Sequence, residues 1–406
     1  MALAPFLPIL IHDLPDISHI RLIYLLFVLN TVLSYFGIYK QSLIIADQRR
    51  YIVSVCSFTL NILLHIIQAL TLWITRSYFV YLGLQIGKTL LENLILFYIA
   101  NRLYPHVNAA RAKGLNPETK SKIIKNTKAM ITHKIGAVVI FGTDNLLIAY
   151  FVGAAAVGLY SNYTMITSGL NGIYGQLFGS LTASVGNLGA VSDSNKALPV
   201  FKRINFAGSW LYGFSTVCLV VLFNPFIALW VGKEYLFNQG IVILIALNFY
   251  VTGMRQAALT FRDAYSLYWY DRHKPVVESI VNLAVSMVLA VPLGVAGIFI
   301  GTFVSTMATC FWIEPLVLFQ YGLKASPWPY FKDYAVNSLI TLLTALIVWS
   351  ICAALPGSGL PSFTVKTAVC AVAGNLGYLL VYRRREEFRY FVELLVSQFV
   401  RKGKPL

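Results

Sequence analysis

Five ionisable or amide side chains stand where a hydrophobic chain should have none. Asp144 and Asn145 sit near the middle of the apolar run from Ile131 to Ala156, Lys88 and Glu92 lie four residues apart in the run that starts at Tyr78, and Arg255 interrupts NFYVTGMRQAALT. An ionised carboxylate at the centre of a membrane span costs about 2.5–3.5 kcal/mol on insertion scales unless it faces protein or a wet cavity. Asp144 therefore either binds something or ties two helices together by hydrogen bonds. Lys88 and Glu92 share one helix face and form an ion pair that lowers the cost of burying either, with a binding role and a structural one both open. Arg255 has two readings as well: it snorkels toward the interface, or it presents a fixed two-pronged fork to a phosphate in a central cavity. The candidate substrate-binding set is thus Asp144, Asn145, Arg255, Lys88 and Glu92.

The elements that must position these residues are membrane spans. Of 406 residues 58% are hydrophobic and 12% charged, with a mean hydropathy of +0.70. That excludes an ordinary soluble domain. Apolar runs predict eleven helices, at about 21–39, 51–75, 78–101, 131–152, 155–183, 205–231, 240–261, 275–292, 294–319, 334–354 and 363–382. Each must be helical because a segment in lipid has to satisfy its own backbone. The expected organisation is a helical bundle at 1–101, a basic linker at 102–130 with a short surface helix from Glu118, a second bundle at 131–320, two additional spans at 321–382 and a basic amphipathic tail at 383–406. The N-terminal MALAPFLPILI is apolar but too short to span.

The net charge of +16 is topological. Lys40, Arg49, Arg50 and the basic residues of 102–134, 196–203, 262–274, 324–332 and 383–404 make up 26 of the 32 Lys and Arg, all on one side if the connections alternate. The positive-inside rule makes that side and the C-terminus cytoplasmic. The excess charge then meets anionic headgroups, and nucleic acid is not expected as a partner. Lys40 to Tyr51 reads as an interfacial turn, and Glu278 and Glu314 as solvated near span ends. Gly175, Gly179 and Ala183 form a small-xxx-small face for close helix contact. Phe388, Phe391, Val392, Leu395 and Phe399 suit a helix lying on the inner leaflet. The five cysteines lack metal or redox spacing, and neither a cofactor nor a metal is expected. No nucleophile constellation or phosphate loop points to an enzyme.

Three stretches then fall into a familiar order: LSYFGIYKQSLIIADQRRYI from Leu33, GTDNLLIAYFVGAAAVGLYSNYTMI from Gly142 and SVGNLGA from Ser184. As a set they resemble the bacterial polysaccharide-export flippases of the multidrug/oligosaccharidyl-lipid/polysaccharide exporter superfamily, over about residues 20–320. The resemblance implies an all-α polytopic fold of two six-helix bundles plus two helices, opening alternately to each side of the cytoplasmic membrane. It also implies that the eleven spans correspond to numbers four to fourteen of the family, so that the N-terminal bundle is incomplete here. The implied cargo is a lipid-linked oligosaccharide on an undecaprenyl diphosphate carrier, for O-antigen of lipopolysaccharide, teichoic acid or a related polysaccharide. Glycosyltransferases and a glycan polymerase are the implied partners. A cation-coupled multidrug exporter of the same superfamily, with Asp144 and Glu92 as its ion site, and a membrane glycan polymerase are the alternatives.

Overall fold

The computed structural model describes residues 20–105, 107, 116–191, 194–355, 357 and 359–402. The N-terminal apolar stretch lies outside the described residues. Among those that are described, every regular element is helical. Contacts divide the chain into residues 1–114 and residues 115–406.

The first unit contains α1 (Ile20–Ser34), α2 (Ile38–Ala46), α3 (Arg50–Thr75) and α4 (Tyr78–Leu103). Gly37, with φ 79°, supplies the left-handed residue at which α1 and α2 bend by 44°, a conformation that costs glycine nothing. The expected interfacial turn after Lys40 is therefore mostly helix. Lys40 itself is buried, with its ammonium 5.4 Å from the Phe97 ring centre. The outer faces of α3 and α4 expose Phe58, Trp73, Leu94 and Tyr98, as a lipid-facing surface requires.

The second unit begins with α5 (Pro117–Phe151), which merges the expected surface helix and the Asp144 span into one 35-residue helix. Pro117 sits at its first turn and the Asn116 carboxamide accepts the Glu118 amide at 3.2 Å, so the start is capped by residues suited to it. There follow α6 (Ala154–Val191), α7 (Ser194–Trp230), α8 (Gln239–Met254), α9 (Gln256–Ala264), α10 (Lys274–Leu293), α11 (Val295–Ala308) and α12 (Cys310–Val317). A wide π turn at Leu318–Leu323 leads to α13 (Trp328–Ala354). The chain then runs through α14 (Leu360–Val369), α15 (Asn375–Tyr382) and α16 (Glu386–Lys402).

Among the described residues, eight stretches of helix are long and apolar enough to cross a membrane, or nine if the bent α1–α2 pair counts as one span. The other two expected spans lie in α5 and α6, which have ample length at 35 and 38 residues.

Two expectations change. Gly175 has no neighbour within 4 Å of where a Cβ would lie, and a close helix contact within this unit is found at another pair of glycines. Gly297 and Gly301 of α11 supply it: a Cβ there would lie 2.1 Å from the Leu289 carbonyl oxygen and 2.8 Å from the Ser286 amide nitrogen of α10. In α16, Phe388 and Phe391 turn toward the protein, packing against Trp210 and Phe206 of α7, because those rings offer more apolar contact than headgroups do.

Candidate functional site

Two helix breaks bring charge together inside the second unit. Arg255 is the junction between α8 and α9, with φ −80° and ψ −14°. Thr309 separates α11 from α12, and Pro315 within α12 removes one backbone donor. Across these breaks Arg255 meets Glu314, Nε 2.8 Å from Oε2 and Nη2 2.6 Å from Oε1. Lys274, the first residue of α10, donates to the same Oε1. Arg262 approaches Glu314 at 3.7 Å, and its guanidinium also reaches Asp271 at 3.1 Å and Asp263 at 2.9 Å. His133 of α5 shares a 2.8 Å hydrogen bond with the other oxygen of Asp271. The Glu278 carboxylate lies 3.9 Å from Lys274.

Glu314 is 0% exposed, and Arg262, Lys274 and Asp271 are buried around it. The expectation of solvated Glu278 and Glu314 is thereby corrected: their sequence position near span ends hides the fact that Glu314 faces three cations. Three cations, the buried Arg262 and Lys274 and the partly buried Arg255, face three buried carboxylates, Glu314, Asp271 and Glu278. Such matching is what lets several charges leave water at once. Over the cluster, Tyr268 stacks near the Arg262 guanidinium at 5.0 Å, and burial, aided by the Asp263 charge, raises its phenol above the ordinary value. The phenol therefore stays a neutral hydrogen-bond donor. A cavity of about 240 Å³ opens beside the cluster, lined also by His133, Lys134 and Thr306. The Arg255 fork is consequently spoken for; an anion entering this cavity would have to compete with Glu314.

Asp144 occupies a second, smaller cavity of about 110 Å³. It is 4% exposed. Its partner is Thr302 of α11, whose hydroxyl lies 3.2 Å from Oδ2 and 3.5 Å from Oδ1. Thr302 in turn accepts from the Asn282 amide at 3.1 Å. The Asn282 carbonyl oxygen is buried with no hydrogen-bond partner among the described residues. Tyr160, Thr164, Thr167, Asn171 and Asn248 complete a wall of hydroxyls and amides. Thr252 and Thr302 border both cavities, so polar surface continues from Asp144 to the ionic cluster. Asn145, by contrast, is exposed and lies off the Asp144 cavity, since one residue along a helix rotates the side chain by about 100°.

In the first unit, Lys88 and Glu92 form the expected pair at 2.6 Å, and the Ser57 hydroxyl donates to the second Glu92 oxygen. Lys88 borders an apolar groove of about 500 Å³ between α3 and α4, floored by Gly83 and Gly87 and walled by leucines. Beside it Thr89 donates to Asn30 at 2.8 Å and Asn93 to the Leu33 carbonyl at 2.7 Å, so α4 is tied to α1 by polar contacts. No group of three His, Cys, Asp or Glu side chains that could hold a metal occurs among the described residues.

Sequence reasoning found Asp144, Arg255, Lys88 and Glu92 because each breaks an apolar run. It placed Glu314 in solvent and passed over Thr302, Asn282, Lys274, Asp271 and His133, whose residue types are unremarkable at span ends or in hydroxyl-rich helices. The spacing of Arg255, Arg262, Asp271, Lys274 and Glu278 across two consecutive spans was the available signal.

Fold and sites together define a polytopic helical membrane protein with buried charge and polar cavities inside its spans. Among solved structures, the fold is shared with the lipid II flippase MurJ in its inward closed conformation, at a TM-score of 0.56 and 14% identity, covering 89% of this chain and 74% of that one. The likeness is one of fold, and it accords with the exporter-type architecture that the sequence motifs imply. Neither the family models nor the curated proteins give a match to this sequence.

Proposed function

We propose that this protein is a flippase that carries a lipid-linked oligosaccharide across the bacterial cytoplasmic membrane by alternating access, with its C-terminus on the cytoplasmic side. The observation that carries the reading is a MurJ-like fold over 89% of the chain; that neighbour is named a lipid II flippase. The hydroxyl- and amide-lined cavity at Asp144 supports it. A diphosphate with sugars cannot cross hydrocarbon unaided, because burying its charges and hydroxyls without partners costs many kcal/mol. A polar cavity replaces the lost water while the lipid tail stays in the bilayer.

In this proposal the glycan serves a cell-surface polysaccharide such as O-antigen or teichoic acid, carried on undecaprenyl diphosphate and handed on to a polymerase or ligase. Asp144 meets the cargo directly. Arg255 holds the cytoplasmic end of the second unit through Glu314. Lys88 and Glu92 of the first unit, and Asn145 on the exposed side of α5 in the second, are further residues that we assign to cargo binding.

Depletion in the native host, followed by fractionation of lipid-linked oligosaccharides by leaflet, tests the reading. Accumulation on the inner leaflet that this chain relieves is the expected result. The absence of any accumulation overturns it. A second reading, a cation-coupled exporter of small molecules, draws on one observation: Asp144 is a buried carboxylate whose partner is a neutral hydroxyl rather than a cation. Efflux of a cationic dye that requires Asp144 would favour that reading.

A further inference from the structure

A third cavity, remote in sequence from Asp144, lies where α7 and α13 begin and the π turn Leu318–Leu323 ends. Its volume is about 240 Å³, and Phe201, Lys202, Asn205, Ser326, Tyr330 and Asp333 line it. That is below the roughly 300–1,000 Å³ of pockets for drug-sized ligands, so it admits a headgroup and not a whole lipid.

Asn205 is the informative residue. It is 7% exposed and its side chain lines the cavity, yet its carboxamide makes no hydrogen bond to another described residue. Neither of its amide atoms is sealed from solvent, so both are reached through the cavity. Three residues earlier on the same helix, Lys202 is exposed and forms no ion pair among the described residues. An ammonium and an amide N–H on one wall make a receptor for a phosphate oxygen.

The opposite wall carries the reverse charge. Asp333 is partly exposed, and its carboxylate is met by Arg385 at 3.3 Å. A purely anionic ligand would face that carboxylate, whereas a ligand with an ammonium two carbons from its phosphate satisfies both walls. The remaining walls are aromatic, with the Phe201 and Tyr330 ring centres 6.0 Å apart.

Depth also favours a lipid. The cavity sits at the ends of three candidate spans, Lys196–Trp230, Val295–Leu323 and Trp328–Ala354. Trp328 beside it is 69% exposed, and exposed tryptophans at span ends mark the headgroup layer. The geometry points to a binding site for the headgroup of a phosphoethanolamine lipid, its phosphodiester on Lys202 and Asn205 and its ammonium on Asp333. This site is independent of the transport reading.

The test is native mass spectrometry of the full chain in detergent, titrated separately with phosphatidylethanolamine, phosphatidylglycerol and inorganic phosphate. One phosphatidylethanolamine should be retained at least about fivefold more tightly than phosphatidylglycerol. Lys202→Gln and Asn205→Leu should each weaken it by about tenfold, the size expected for a lost hydrogen bond to a charged group. Asp333→Asn should abolish the preference between the two lipids, and Lys332→Gln, one residue away and not lining the cavity, should change nothing. Equal retention of both lipids by the unaltered protein overturns the proposal, as does retention by Lys202→Gln undiminished. Inorganic phosphate that binds and displaces both lipids alike assigns the site to free phosphate instead. Should Asn205→Leu fail to fold, the exposed Lys202 and Asp333 variants decide the matter.

Discussion

Arg255 gives both prongs of its guanidinium to Glu314, at 2.8 and 2.6 Å, although the two residues stand 59 positions apart and on opposite sides of two helix breaks. The pair fastens the α8–α9 junction to α12, and Lys274 on the same carboxylate adds the start of α10. One buried carboxylate thus joins four helical segments of the second unit, α8, α9, α10 and α12.

Glu314→Gln should be the most damaging single change in the cluster. It leaves Arg255, Lys274 and Arg262 with one carboxylate fewer, and breaking a buried pair by removing one partner costs about 3–5 kcal/mol. Thermal melting of the purified protein in detergent reads this directly. Glu314→Gln combined with Lys274→Met should recover part of the loss, since one surplus cation goes with it. If the double variant melts no higher than the single one, the charge-matching account is wrong.

Asp144→Asn should fold and insert normally while transport falls by at least about tenfold. The substitution keeps the shape and an oxygen for the Thr302 hydroxyl at 3.2 Å but removes the charge, the feature that makes the residue expensive to keep in a span. Thr302→Val should give a milder defect, because it strips a hydrogen bond and leaves the carboxylate. Full export by Asp144→Asn in the depleted host would remove Asp144 from the proposed site.

Gly301→Leu should prevent correct packing of α11 on α10, with a loss of at least about 1–3 kcal/mol from overpacking. Even a Cβ at 301 would press on the Ser286 backbone at 2.8 Å. Gly175→Ala should stay within about 0.5 kcal/mol of the unaltered protein, as a change with no close neighbour does. Parallel melting curves of the two variants check the contrast.

Tyr163→Phe should cost about 1–3 kcal/mol. The Tyr163 hydroxyl donates to Asn224 at 2.6 Å and accepts from the Phe237 amide at 2.9 Å, and the residue is 0% exposed. Removing it leaves a buried amide N–H with no acceptor. Proteolysis of the α7–α8 connection should quicken in the variant, and an unchanged rate would place that connection's stability elsewhere.

Much of the architecture was legible in the residues alone. A run of about 20 apolar residues can satisfy its backbone in lipid in one way, so run length determined which stretches are helical, although α5 and α7 begin well before the apolar runs at 131 and 205. The same logic singled out Asp144 and the Lys88–Glu92 pair, because a charge in an apolar run must find a partner. The partners themselves were decided by the tertiary structure. Glu314 meets Arg255, Lys274 and Arg262 only because two helices break and converge, and nothing local in CFWIEPLV distinguishes a buried glutamate from a solvated one. The solvated reading of Glu278 and Glu314 failed for a related reason: hydropathy assigns a residue to a helix, whereas the face that it presents depends on which neighbour packs there. Local sequence sets backbone conformation through short-range sterics and desolvation. Side-chain pairing across tens or hundreds of positions is settled by packing, which no single segment contains.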